Sequence, residues 1–164
     1  MPGWLRIILI GRRPKYTMVR IGVVIVSAAV VFRLVLLPVK VTGDSMLPTY
    51  HDGQINFINR LAYLRHEPLR GDVVGIRLSD IQTMYMKRVI GLPGETVAFD
   101  HGQLLINNEP TAEPYVKYPC FWTTPPFTLS SQQYFLVGDN RSMPPKDHTH
   151  GACERDRIVG KVVL

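Results

Sequence analysis

The sequence predicts a mainly β fold in which one N-terminal transmembrane helix precedes a domain of short antiparallel strands. Two observations support this prediction. A single long apolar run, Ile21 to Val39, lies near the N-terminus. Beyond it, short apolar segments alternate with turn signals and show little helical periodicity. After the anchor roughly 125 residues remain, which is enough for one domain with a single hydrophobic core.

The apolar run is long enough to cross a bilayer. Its roughly 19 residues, at about 1.5 Å per residue, match about 30 Å of hydrocarbon. Arg33 interrupts it and costs about 2.5–3.5 kcal/mol on insertion scales. Each Leu, Ile or Val returns about 0.3–0.6 kcal/mol, so a dozen of them outweigh that cost. Arg33 also lies beyond the midpoint of the run, where its side chain can reach the far interface.

The alternative is a cleavable signal peptide, because twelve uninterrupted apolar residues suit its hydrophobic region. A cleavage site needs small residues just past that region, and the residues after Phe32 do not provide them. We therefore favour an uncleaved anchor. The N-terminus is then expected in the cytoplasm and the bulk of the chain outside, because basic residues precede the run: Arg6, Arg12, Arg13, Lys15 and Arg20.

Eight segments beyond the anchor are predicted strands because each is short, apolar and bounded by turn residues. They are Val39–Thr42, Gln54–Ile58, Asp72–Arg77, Met84–Ile90, Thr96–Asp100, Gln103–Ile106, Tyr134–Val137 and Ile158–Val162. Thr96–Ile106 is expected to form a hairpin that turns at Asp100-His101-Gly102. Asn59–His66 suggests one short helical turn, and Cys120–Ser130, rich in Pro, Thr and aromatic residues, suggests an irregular loop.

Charge and cysteine content exclude some function classes. The net charge is +6, but basic residues crowd the first twenty positions and elsewhere mix with acids, so nucleic-acid binding is not expected. No Cys or His spacing suggests a metal site, and His148 and His150 lack partner ligands, so neither a metal nor another cofactor is expected. Cys120 and Cys153 could form a disulfide outside the cytoplasm, or remain two unpaired thiols.

Two segments contain residues suited to nucleophilic catalysis. Ser45 lies in the segment Gly43-Asp44-Ser45-Met46-Leu47-Pro48-Thr49, and Lys87 lies in a predicted strand, on the same face as Tyr85 and Val89. A lysine with a pKa near 10.4 is neutral only about 0.04% of the time at pH 7. Burial among apolar residues lowers the pKa and creates a usable base. Taken singly, a turn serine and a strand lysine are more often structural.

These segments and two others closely resemble the type I signal peptidases, or leader peptidases, which are serine proteases with a Ser/Lys dyad. The resemblance extends from about residue 20 to the end of the chain. Its motifs are Ser45-Met46-Leu47-Pro48-Thr49, Arg70-Gly71-Asp72-Val73-Val74, Lys87 to Glu95, Gly138-Asp139-Asn140-Arg141 and the closing strand Ile158-Val159-Gly160-Lys161.

The resemblance implies that Ser45 Oγ is the nucleophile and neutral Lys87 its proton acceptor. The Ser45 backbone N–H would hold the oxyanion. Many relatives add a Ser or Thr hydroxyl two residues before the nucleophile, where this chain has Gly43. The substrate would bind as an added β-strand between the segment before Ser45 and Thr83–Met86. Further oxyanion or substrate-binding candidates are Gly43, Asp44, Met46, Tyr85 and Met86.

The last motif departs from the family pattern after Arg141. The family serine that orients the catalytic lysine aligns with Pro144, and the usual Asp and Arg align with Lys146 and His148. The resemblance implies that Asp139, Asn140 and Arg141 are structural supports. A shift of one residue would let Asp147 pair with Arg141, and Ser142 is a candidate to approach Lys87.

The predicted function is removal of N-terminal signal peptides from exported preproteins with Ala-x-Ala sites, by a membrane-bound serine endopeptidase. Alternatives are a dedicated peptidase for one partner, such as a pilin-like protein, and an inactive anchored binding module. The expected location is the bacterial inner membrane, in contact with lipid, as a single-pass monomer. The predicted layout is a basic arm (1–18), an anchor (19–39) and a catalytic domain (40–164) with a small accessory insert at about 98–133.

Overall fold

The computed structural model describes residues 14–77, 84–143 and 151–163. The chain divides into two compact units at Leu36. In the first unit, helix α1 (Pro14–Val30) continues directly as a π-helical turn, Val31–Val35. Its segment Tyr16–Val35 has 20 residues and a mean hydropathy of 2.2, which makes it long and apolar enough to cross a membrane.

The helical segment ends four residues before the predicted end of the anchor at Val39. Leu36–Lys40 instead forms the first strand, β1, which was predicted to begin only at Val39. Pro38 explains the early end, because its ring disfavours helical conformation at Leu37 and it has no N–H to donate within a helix.

The second unit, 37–164, contains two β-sheets. The strands are β1 (Leu36–Lys40), β2 (Ile55–Asn59), β3 (Val73–Arg77), β4 (Met84–Gly91), β5 (Thr96–Asp100), β6 (Gln103–Ile106), β7 (Glu109–Pro110), β8 (Thr124–Thr128), β9 (Gln133–Val137), β10 (Gly151–Glu154) and β11 (Ile158–Val163). The seven-stranded sheet has the order β1-β2-β11-β3-β4-β9-β10, and the four-stranded sheet β7-β6-β5-β8. The prediction of one N-terminal apolar helix followed by antiparallel sheets is confirmed.

The hairpin prediction is also confirmed. β5 and β6 pair antiparallel, with Asp100 opposite Gln103. The two residues between them, His101 and Gly102, have φ values of 47° and 86°. Two successive positive φ angles are those that a two-residue turn needs to match the right-handed twist of its strands.

Three strands were not predicted, namely β7, β8 and β10. β8 lies inside Cys120–Ser130, which was wrongly predicted as an irregular loop because it contains Pro125 and Pro126. Proline is tolerated there because β8 is at the edge of its sheet, where no ladder hydrogen bond is lost on the open side. The suggested helical turn at Asn59–His66 is also wrong, since the chain there ends β2 and then makes non-helical turns.

The core consists of three apolar clusters. One packs beneath the Ser45 turn and comprises Val41, Met46, Tyr50, Ile58, Val73 and Val162. One joins the two sheets and comprises Ile90, Val97, Phe99, Leu104, Ile106, Leu129 and Val137. The third covers the centre of the larger sheet and comprises Val74, Ile76, Val89, Tyr134, Leu136, Cys153 and Ile158. Cys120 and Cys153 are buried and unpaired with each other, so the structure contains the free thiols rather than the disulfide.

Candidate active site

Ser45 lies in a tight turn between β1 and β2. The Leu47 N–H donates to the Asp44 carbonyl (3.2 Å), and the Tyr50 N–H donates to the Met46 carbonyl (3.0 Å). Met46 is 1% exposed and packs into the core below. Ser45 therefore lies on a turn that is fixed to the domain by its buried neighbour Met46.

Lys87 occupies the middle of β4, opposite Val74 of β3. Its side chain is 2% exposed. Lys87 Nζ donates to Ser45 Oγ at 2.8 Å. Two residues 42 positions apart are thus in direct hydrogen-bond contact, as the proposed nucleophile and base must be.

Burial lowers the pKa of Lys87 from 10.5 to about 8, against the opposing effect of the Asp139 carboxylate, which raises it. A buried ammonium loses hydration that the neutral amine does not need. At pH 7 a group with this pKa is neutral about a tenth of the time, far more than an ordinary lysine. Lys87 therefore has the protonation behaviour of a general base near neutral pH.

Arg88 points to the opposite side of β4 and is paired with Asp139. Its Nε donates to Asp139 Oδ1 at 2.7 Å and its Nη2 to Oδ2 at 2.5 Å. The Thr49 hydroxyl donates to the same carboxylate, and Arg88 Nη1 donates to the Gly71 carbonyl at 2.6 Å. Asp139 is fully buried. This network joins the first four of the five sequence motifs, which is consistent with the predicted support role of Asp139.

Asn140 contacts the nucleophile turn directly. Its backbone N–H donates to the Ser45 carbonyl at 3.1 Å, and its side-chain Nδ2 donates to the Asp44 carbonyl at 3.1 Å. The Ser142 hydroxyl donates to Asn140 Oδ1 at 2.7 Å. The hydrogen bond that the structure gives Ser142 thus goes to Asn140, whereas the sequence suggested an approach to Lys87.

Arg141 has a partner that the sequence did not suggest. Its guanidinium donates to both carboxylate oxygens of Glu113, at 2.8 and 2.5 Å. The predicted partner, Asp147, lies outside the described residues, as do Thr83, Pro144, Lys146 and His148. Arg141 is 1% exposed, so it needs a buried acid, and Glu113 meets that need. No local pattern marks Glu113, which is 28 positions away.

A groove of about 530 Å³ passes beside Ser45. The residues that line it are Pro38, Val39, Lys40, Val41, Thr42, Ser45, Met46, Ile58, Met84, Tyr85 and Met86. Of the predicted substrate-binding residues, Met46, Tyr85 and Met86 line it, and Gly43 and Asp44 do not. Ile58 also lines the groove but was not predicted to do so, because its position on β2 indicates only a core residue. The groove lies between the segments expected to flank a substrate strand.

Within residues 14–77, 84–143 and 151–163, the Ser45 backbone N–H donates to no other backbone group. Gly43 does not supply a second donor from its own N–H, which donates to Asp52 Oδ1 at 2.8 Å. With φ at +86°, this position strongly favours glycine over a residue that could carry a hydroxyl. Over the same described ranges, no cluster of three His, Cys, Asp or Glu residues is arranged to hold a metal.

Comparison with known proteins gives consistent matches. Residues 15–164 match the family described as "Signal peptidase, peptidase S26". Signal peptidase I T of Bacillus subtilis (strain 168) is 36% identical over 152 residues, covering 85% of this chain and 78% of the relative. Signal peptidase I of Leptolyngbya laminosa is 30% identical, covering 88% and 75%. A crystal structure of a signal peptidase I from Enterococcus faecalis V583 superposes with a TM-score of 0.47 at 25% identity, covering 59% of this chain and 97% of that one.

Proposed function

Because the chain belongs to the signal peptidase I family (peptidase S26) and so is a serine endopeptidase that removes signal peptides from exported preproteins, we propose that Ser45 and Lys87 carry out this hydrolysis as a Ser/Lys dyad. The observation that carries the assignment is the 2.8 Å contact between Lys87 Nζ and Ser45 Oγ. Family membership supports the predicted reaction over the inactive binding module.

In the proposed mechanism, neutral Lys87 accepts the Ser45 hydroxyl proton as Oγ attacks the scissile carbonyl carbon. The resulting oxyanion accepts a hydrogen bond from the Ser45 N–H. The Lys87 ammonium then returns its proton to the leaving amine, and the peptide C–N bond breaks. Lys87, neutral again, deprotonates a water molecule that attacks the carbonyl carbon of the Ser45 ester. The C–Oγ bond then breaks, the Lys87 ammonium returns the proton to Ser45 Oγ, and the signal peptide leaves with a free carboxylate.

The groove beside Ser45 is proposed to hold the substrate as an extended strand between Pro38–Thr42 and Met84–Met86. Backbone hydrogen bonds along both sides would supply sequence-independent affinity. Small apolar spaces bounded by Met46, Ile58 and Met86 would accept alanine-sized side chains at positions −3 and −1. Preproteins with Ala-x-Ala sites are therefore the proposed substrates.

The apolar helix is consistent with the membrane anchor of a signal peptidase. We propose a single-pass protein of the bacterial inner membrane, with the basic N-terminus in the cytoplasm and residues 40–164 as a catalytic domain outside. The charge asymmetry across the helix supports this orientation. The four-stranded sheet, spanning 96–128, overlaps the accessory insert predicted at about 98–133. We propose that the protein acts as a monomer in contact with lipid.

Cleavage of a purified preprotein tests the proposed substrate class. The full-length protein in detergent is expected to cut a preprotein after Ala-x-Ala, at the site identified by product mass. Replacing the −1 alanine with leucine is expected to reduce the rate about 100-fold, because a larger side chain overfills the space at a cost near 3 kcal/mol. A Ser45→Ala preparation controls for contaminating proteases. Equal cleavage of the two substrates would contradict the proposed pocket.

The pH dependence of kcat/KM is expected to report Lys87. Only the neutral amine accepts the proton, and burial lowers its pKa to about 8. The rate should therefore rise about tenfold per pH unit below pH 8 and level off above it. The measurement is kcat/KM for a short peptide substrate from pH 5 to 10, with circular dichroism checking that the fold is retained. A rise centred near 10.5 would mean that Lys87 is not desolvated in solution.

A further inference from the structure

We propose that Asn140 is a positioning residue that orients the oxyanion donor. This inference rests on the proposed role of Ser45. It starts from the contacts of one residue with two successive peptide groups, those before and after the Ser45 Cα. Asn140 Nδ2 holds the Asp44 carbonyl and the Asn140 N–H holds the Ser45 carbonyl, both at 3.1 Å.

The first of these contacts determines where the Ser45 N–H points. The Asp44–Ser45 peptide bond is trans, so its C=O and N–H lie in one plane and point in opposite directions. A donor that holds the Asp44 oxygen therefore directs the Ser45 N–H to the other side. The Leu47 N–H also donates to this oxygen, at 3.2 Å. Two donors on one carbonyl polarise the peptide group and strengthen its N–H as a donor.

The second contact restrains the peptide group that follows Ser45. With both flanking peptide planes held by Asn140, neither backbone dihedral of Ser45 can change without breaking one of these hydrogen bonds. The nucleophile and the oxyanion donor belong to the same residue, so their relative geometry depends on these dihedrals. Preorganised donors contribute most to catalysis when they need no rearrangement during the reaction.

The orientation of the Asn140 amide is itself determined. The Asp44 carbonyl oxygen can only accept, so Nδ2 must face it. Oδ1 then accepts from the Ser142 hydroxyl at 2.7 Å. Asn140 is 8% exposed, so little water competes for these contacts. The Asn140 hydrogen bonds matter because Gly43 provides no second oxyanion donor: it has no hydroxyl, and its N–H donates to Asp52. As the proposed oxyanion donor, the Ser45 N–H must therefore point in a well-defined direction.

Kinetics of Asn140→Leu test the proposal. Leucine has a similar size and no charge, and it keeps the backbone N–H while removing Nδ2. We expect kcat to fall about 10- to 100-fold, less than the loss of a whole oxyanion donor, and KM to change less than about twofold. The inflection of the pH profile should not move. Affinity for a peptide aldehyde, which forms a tetrahedral adduct with Ser45, should fall by the same factor as kcat.

Two further variants keep the test decisive if Asn140→Leu folds poorly. Ser142→Ala removes the hydroxyl that donates to Asn140 Oδ1 and should lower kcat a few-fold with the same pattern. Ser130→Ala is its matched control, because the exposed Ser130 hydroxyl accepts from the Gln132 N–H in a surface turn, and it should leave kcat unchanged. An unchanged kcat in folded Asn140→Leu, or a loss that appears in KM or in the pH inflection, would overturn the proposal. Cleavage that survives Ser45→Ala would instead refute the proposed dyad, and this inference with it.

Discussion

Replacing Ser45 with alanine is expected to lower kcat/KM on the order of 10⁶-fold, the loss measured when the nucleophile of another serine protease is removed. Lys87→Met should cause a loss of similar order, because an apolar side chain cannot accept the Ser45 proton. The double variant should be no worse than either single one, since nucleophile and base act as a unit. The measurement is single-turnover cleavage of a preprotein at pH 8, with wild type and the three variants matched in concentration.

Stability provides an independent check on Lys87→Met. Between pH 8 and 10.5 the unfolded chain holds more protons at this residue than the folded chain, so wild-type stability should rise with pH in that window. Below pH 8 the burial of the charged Lys87 ammonium lowers the free energy of unfolding by about 3 kcal/mol. Lys87→Met should remove the contribution of Lys87 to this pH dependence and stabilise the protein at pH 7 by about 2 kcal/mol, after subtracting the lost hydrogen bond. An inactive but destabilised variant would point to misfolding instead of loss of a base.

Removing the Asp139 carboxylate is expected to have the largest effect on stability. Asp139→Ala leaves the Arg88 guanidinium buried without its bidentate partner, and the Thr49 hydroxyl without its acceptor. Breaking a buried pair in this way costs about 3–5 kcal/mol. The expected result is a matching fall in the free energy of unfolding, measured by urea titration in detergent.

A matched control and a double variant separate the buried pair from charge in general. Glu67 pairs with Arg155 at the surface, with 67% of its side chain exposed, so Glu67→Gln should cost less than about 1 kcal/mol. Arg88→Met combined with Asp139→Leu should recover much of the loss, because no uncompensated charge remains. A loss of under 1 kcal/mol in Asp139→Ala would show that the network contributes little to the fold.

Elements with strong local signals were predictable. The apolar run predicts a helix because a segment in lipid must satisfy its backbone hydrogen bonds internally, although Pro38 ends the helix earlier than composition suggests. The hairpin was predictable because Asp100-His101-Gly102 contains residues that favour a tight turn. β8 and β10 were not predictable, since their stability depends on where they lie in a sheet: an edge position tolerates Pro125 and Pro126, and pairing with β9 holds β10.

The same distinction between local and long-range information applies to the candidate active site. The sequence alone identifies Ser45 and Lys87 as candidates, because their motifs stand in order behind an apolar segment and each residue type suits its chemistry. Only the tertiary structure brings them within 2.8 Å and removes Lys87 from water. It also pairs Arg141 with Glu113 and places Asn140 against the Ser45 turn, 96 positions away from Asp44. Local sequence determines which groups are present, whereas long-range packing determines their neighbours, and the pKa and orientation of a group depend on its neighbours.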